Sequence, residues 1–204
     1  MMTTRLAERV GRLAAAGVVA LSMVTPGPAD AADPVWAALA QGGLVVLIRH
    51  GNAPPGFGGD PPGFRFDDCT TQRNLDDAGR EQARALGEAF RTHGVRVDRV
   101  MASPMCRCTE TAELMAVGPV ETSWALLPDV RSGTTRVQEL EEIVSSWRGP
   151  GALVLVTHGL TVGRLTGFTL QQAESLVLRP ATAKAPPGHL PRGGSLVGRI
   201  EPPQ

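Results

Sequence analysis

Two stretches constrain this chain more than anything else in it. Leu44-Val45-Val46-Leu47-Ile48 runs straight into Arg49-His50-Gly51, and Ala152-Leu153-Val154-Leu155-Val156 runs into Thr157-His158-Gly159. A short apolar run rich in β-branched residues and bounded by glycines reads as a strand buried on both faces, the kind found in parallel sheets covered by helices. A third such segment, Val97 to Ala102, precedes Ser103-Pro104. Helical patterns lie between the three. The chain therefore reads as α/β, a three-layer α/β/α domain around a mostly parallel central sheet. In sheets of this kind the ligand crevice lies beyond the carboxyl ends of the strands. His50 and His158 are expected there, and two histidines far apart in sequence can converge in space.

Between them lies Ser103-Pro104-Met105-Cys106-Arg107-Cys108-Thr109-Glu110-Thr111-Ala112. R-H-G after a first strand, S-P-x-x-R with a following T-A, and a late H-G after another strand occur here in that order. At these residues the chain resembles the histidine phosphatase superfamily, with its phosphoglycerate-mutase-like fold, over Gly43 to Ile200. The pattern Gln72-Arg73-Asn74-Leu75, then Gly79, then Gln82-Ala83 resembles exported bacterial members of that superfamily.

The resemblance implies phosphoryl transfer through a histidine. A neutral imidazole can attack phosphorus and split the reaction into two easier steps. His50 is the expected nucleophile, with Gly51 helping to hold its ring. Negative charge spreads over the phosphoryl oxygens in the transition state, so fixed cations are needed. Arg49, Arg107 and a protonated His158 are expected to supply them. Arg107 is expected in the first turn of a helix, where free backbone N–H groups and the dipole favour an anion. Asn52 is expected to donate to a phosphate oxygen, and Arg73 either to reach the phosphate or a distal group of the substrate or to form a salt bridge at the start of the next helix. No metal or cofactor is expected.

The leaving oxygen needs a proton, and here the chain departs from its look-alikes. Phosphoglycerate-mutase-like members carry a glutamate after the second arginine, where this chain has Leu126-Leu127-Pro128-Asp129. Members resembling acid phosphatases carry an aspartate soon after the late histidine, but His158 is followed by no acid until Glu174. Asp129 is the candidate donor, with Glu110 and Glu174 as alternatives.

Residues 1–32 are expected to lie outside the fold. Arg5, Arg9 and Arg12 form a basic start, Leu13 to Val24 a short apolar run, and Ala29-Asp30-Ala31 a small-x-small cleavage site. This reads as a signal peptide before a domain at 33–204, with a periplasmic or secreted product and no stable membrane insertion after cleavage. An uncleaved N-terminal anchor is the alternative. In an oxidising compartment the odd set Cys69, Cys106 and Cys108 implies one disulfide and one free thiol. Cys69 with Cys106 is the preferred pair, since both flank the segments expected at the site; Cys69 with Cys108 stays open. A thiol nucleophile is a further possibility.

The formal net charge is zero, which leaves no global electrostatic case for nucleic acid. Lys184 is the lone lysine and there is no tyrosine. Helices are expected over Asp33 to Gln41, Asp76 to His93, Thr134 to Trp147 and Thr161 to Phe168. The Pro- and Gly-rich stretch Ala53 to Phe66 is expected as a loop over the site, and Arg179 to Gly194, with His189, as a second loop. His93 is expected to be structural or solvated. The expected activity is hydrolysis of a phosphorylated small molecule or a cell-envelope glycan. The alternatives are a mutase-type phosphotransferase and a catalytically silent domain that binds phosphorylated ligands.

Overall fold

A computed structural model describes residues 33–54, 59–128, 135–181 and 194–203. The expected signal segment, Asp129 and His189 lie outside the described residues. So do residues 55–58 of the first glycine-rich loop and most of the second.

Among the described residues, six strands form one sheet: β1 (Val45–Arg49), β2 (Val97–Ala102), β3 (Val120–Thr122), β4 (Ala152–Thr157), β5 (Ser175–Arg179) and β6 (Ser195–Ile200). Their spatial order is β3-β2-β4-β1-β5-β6. β3, β2, β4 and β1 run parallel, while β5 is antiparallel to both of its neighbours, β1 and β6. β4 and β1 are buried in the middle, as their unbroken apolar runs require.

The pleat sends alternate residues to opposite faces. Val46, Ile48, Val154 and Val156 meet α1 (Pro34–Ala40), α2 (Asp77–Thr92) and α3 (Cys106–Met115) through Trp36, Leu39, Leu86, Phe90 and Met115. Val45, Leu47, Leu153 and Leu155 meet α4 (Thr135–Ser146) and α5 (Gly159–Thr166) through Leu140, Val144, Val162 and Leu165. These are the three expected layers.

Two of the expected helices start on capping aspartates. Asp33 accepts from the Val35 amide at 2.9 Å with Pro34 in the first turn, and Asp76 accepts from the Gly79 amide at 2.8 Å. Gly94, with φ +64°, carries the chain out of α2 in a left-handed conformation. His93, exposed at the end of α2, stacks on Trp36 with ring centroids 4.5 Å apart.

One helix differs in its bounds from expectation. α5 begins at Gly159, directly after His158, and ends at Gly167 in a left-handed conformation. β5 lies antiparallel beside β1, with Ser175 opposite Ile48 and Leu178 opposite Val45.

Candidate active site

β1 and β4 end side by side, with Arg49 opposite Thr157 in the ladder. His50, the next residue, donates its amide N–H to the Thr157 carbonyl at 3.0 Å, which fixes its backbone to the sheet. His158 follows Thr157 and caps α5 in an extended conformation. The two imidazoles stand 5.4 Å apart, nearly edge to face, both almost fully buried.

The His50 ring is fixed in one tautomer. Nδ1 lies 2.8 Å from the Gly51 carbonyl oxygen, which can only accept, so Nδ1 carries the proton and Nε2 keeps its lone pair. Burial, above all, pushes this imidazole down to about 3; the bond to Gly51 opposes the shift, and Arg107, Arg49 and Arg73 add to it. His50 is therefore a neutral base across the ordinary pH range. Gly51 holds its own place by two contacts. Its N–H donates to Thr111 Oγ1 at 3.1 Å, and a Cβ at this position would meet the Gly79 carbonyl oxygen at 2.5 Å. Only glycine lets the loop lie this close to α2.

Three arginines surround the pair. Arg49 donates to the Leu170 carbonyl at 2.8 Å. Arg107, on the first turn of α3, is buried and donates Nη1 to Asp60 Oδ1 at 2.8 Å and Nη2 to His158 Nδ1 at 3.4 Å. Arg73 lines the same cavity, its guanidinium held below its ordinary value by burial first and then by Arg107. The Nε groups of Arg49 and Arg107 are buried donors with no hydrogen-bond partner among the described residues. Leaving such donors unpaired is costly, so each calls for an explanation. The cavity has a volume of about 850 Å³. Its outer wall is apolar: Phe66 and Trp124 meet with ring centroids 4.8 Å apart, and Phe64 stands against Phe66 at 5.3 Å.

Several expectations need correction. His158 is not an imidazolium here. Burial first, then Arg107 and His50, hold it well below the ordinary value, and its Nδ1 accepts from Arg107, so its N–H is on Nε2 and donates to Ser103 Oγ at 2.9 Å. A second buried cation beside Arg107 would lack a counter-charge. The arginines carry the positive charge, and His158 orients Arg107. The first turn of α3 is not open to an anion as expected: the Cys106 N–H donates to the Gln72 side chain at 2.9 Å. Asn52 turns away from the cavity and donates to Asp76 at 2.7 Å, tying the loop to the α2 cap. Glu110 is bound by Arg80 at 2.7 Å, and Glu174 by the Gln171 N–H and Arg199, so neither is at the site.

The cysteines resolve as Cys69–Cys106, with Cα atoms 5.7 Å apart, and free Cys108. The disulfide joins the segment bearing Arg73 to the start of α3. Cys108 is fully buried and burial pushes its thiol up to about 12, which removes it as a nucleophile. Among the described residues no cluster of three acidic, histidine or cysteine side chains could hold a metal. No described helix is long and apolar enough to cross a membrane.

Sequence reasoning missed Asp60, Ser103, Thr111 and Gln72. Ser103 and Thr111 stand inside the S-P-x-x-R and T-A pattern, so their positions were visible and their bonds were not. Asp60 sits among prolines and glycines with no periodic signal.

Known proteins share this frame. Residues 45–148 match the family model of the histidine phosphatase superfamily, branch 1. A stretch of 71 residues is 34% identical to the mitochondrial serine/threonine-protein phosphatase Pgam5 of Drosophila virilis, covering 35% of this chain and 21% of that protein. The chain thus spans about a fifth of the length of the curated relatives it matches. In three dimensions it superposes on the protein histidine phosphatase SixA complexed with tungstate, with a TM-score of 0.53, 17% identity and coverage of 78% of this chain and 97% of that one. A SixA structure from Agrobacterium tumefaciens gives 0.52, 19%, 78% and 97%. At these identities the likeness to the solved structures is one of fold. With the family pattern matched over half its length and the motif residues gathered at one end of its sheet, this chain belongs to branch 1 of the histidine phosphatase superfamily.

Proposed function

We propose that the protein is an exported, metal-independent phosphomonoester hydrolase working through phospho-His50. The observation that carries the reading is the state of His50: buried, neutral, its Nδ1–H fixed on Gly51, its Nε2 lone pair open among three guanidiniums. In the first step the Nε2 lone pair forms a bond to phosphorus and the ester oxygen leaves. In the second, water attacks phosphorus and returns His50 to its neutral form. The Gly51 carbonyl supports the positive charge that the ring gains on phosphorylation. Arg49, Arg73 and Arg107 take the phosphoryl oxygens, and the unpartnered Nε donors of Arg49 and Arg107 suit that role. His158 keeps Arg107 in place.

The substrate we infer is a monophosphate whose alcohol reaches the wall of Phe64, Phe66 and Trp124; a phosphorylated small molecule and a phosphorylated envelope glycan both answer to that description. Export rests on the basic-apolar-small pattern of residues 1–32 and gains support from the Cys69–Cys106 bond, since disulfides persist in oxidising compartments.

The test is hydrolysis of p-nitrophenyl phosphate by the full chain in excess chelator, beside His50→Ala, with acid-labile phosphate trapped on the protein and mapped. Turnover that survives chelator, label on His50 and loss of both in the variant are expected. Turnover retained by His50→Ala would refute the nucleophile. Binding of phosphate without turnover would favour a silent ligand-binding domain.

A further inference from the structure

We propose that Asp60 is the proton donor to the leaving oxygen, released from Arg107 when a phosphoryl group takes that guanidinium. This rests on the phosphomonoesterase reading above. Asp60 is the only carboxylate lining the cavity among the described residues. Its side chain is 8% exposed, its Oδ1 lies 2.8 Å from Arg107 Nη1, and the same oxygen accepts the Arg73 backbone N–H at 3.0 Å. Of the acids that the sequence offered, Glu110 is bound to Arg80 and Glu174 to Arg199 and the Gln171 amide, while Asp129 lies outside the described residues.

The position suits a group that must move a short way. Asp60 stands between Gly59 and Gly63, both with φ near +80° and open space where a Cβ would be. The segment is pinned beyond it, where Arg65 donates its N–H to Thr71 Oγ1 and accepts from Gln72 at 2.8 Å. Asp60 itself is held by its two bonds to the site. A phosphoryl oxygen arriving on Arg107 replaces the carboxylate there and leaves it beside the new anion. As this exchange takes place, the phosphate ester, arriving as its monoanion, hands its acidic proton to the displaced carboxylate.

The step balances. The His50 Nε2 lone pair forms the P–N bond, the P–O bond pair goes to the leaving oxygen, and the Asp60 proton goes with it to release a neutral alcohol. In the second step the Asp60 carboxylate takes a proton from the attacking water as the P–N bond breaks and its electron pair returns to His50; Asp60 then passes that proton to the departing phosphate and closes on Arg107 again. Arg107 thus exchanges partners within one turnover.

A donor of this kind matters in proportion to how poor the leaving group is. The experiment compares wild type, Asp60→Asn and Asp60→Glu, as full chains, on p-nitrophenyl phosphate and on glycerol 2-phosphate. Asp60→Asn is expected to lose about 100-fold or more in kcat/KM on the alkyl ester and under about 5-fold on the aryl ester, with Asp60→Glu recovering part of the alkyl activity. Equal loss on both esters would overturn the proposal and make Asp60 a structural partner of Arg107. Equal gain on both would overturn it too, and make the carboxylate a competitor of phosphate. Wild type that turns over the aryl ester alone works without an acid, which also refutes it. Wild type inactive on both esters brings down the phosphomonoesterase reading, and the role of Asp60 with it.

Discussion

Lowering the pH should destabilise this protein through His50 before its carboxylates titrate. The ring is 2% exposed and its proton affinity is pushed down to about 3 in the folded chain, chiefly by burial, against an ordinary value of 6.5. The unfolded chain therefore binds a proton at this residue in a range where the folded chain does not. Its contribution is fully present above 6.5, declines as the pH falls below that, and stops declining near 3. Each unit between is worth about 1.4 kcal/mol, so moving from neutral pH to about 4.5 should cost about 2.5 kcal/mol at this one side chain. His50→Gln keeps a polar group of similar size and removes the titration. Urea unfolding of both proteins at the two pH values gives four stabilities, and the carboxylates cancel in the double difference. Wild type should lose about 2.5 kcal/mol more than the variant on acidification. Equal losses in the two proteins would refute the argument, because they would mean that His50 binds its proton as readily in the folded chain as in the unfolded one.

Breaking the Cys69–Cys106 bond, by Cys69→Ser or by reductant, should cost about 4 kcal/mol of stability, the loop-closure entropy for a separation of 37 residues. An unchanged urea midpoint would contradict this. Trp124→Ala should raise KM for p-nitrophenyl phosphate by about 3- to 10-fold, the worth of one aromatic contact, and leave KM for glycerol 2-phosphate and both kcat values in place. A fall in kcat on both esters would place Trp124 in the chemistry rather than on the wall.

The parts legible in the sequence are those fixed by short-range physics. β1 and β4 were readable because a strand buried on both faces must be apolar throughout. The caps at Asp33 and Asp76 were readable because a helix start needs an acceptor for its first N–H groups. The S-P-x-x-R and H-G pieces carried the site because each follows a strand, and strand ends converge at one edge of a parallel sheet. What escaped is set by long-range contact. The neutral form of His158 depends first on its burial and then on Arg107 beside it, 51 residues away in sequence. The turning aside of Asn52 depends on the α2 cap, and the blocking of the α3 start depends on Gln72. Asp60 escaped because a glycine-rich loop has no periodicity from which a direction can be read. Asp129, the donor candidate from the sequence, lies outside the described residues.

The position of β1 has a consequence for how the protein is made. Both neighbours of this strand come late in the chain: Val45 pairs with Leu153 on one side and Leu178 on the other. Until residues 152–157 have been made, β1, with four of its five residues buried in the finished sheet, has no partner strand. Contacts of such large sequence separation form slowly, and an unpaired apolar strand meanwhile invites association with other chains. The two histidines cannot meet until synthesis has passed His158. The nascent chain must therefore be shielded for most of its synthesis, and its site becomes whole only when β4 slides in beside a strand that was translated about 100 residues earlier.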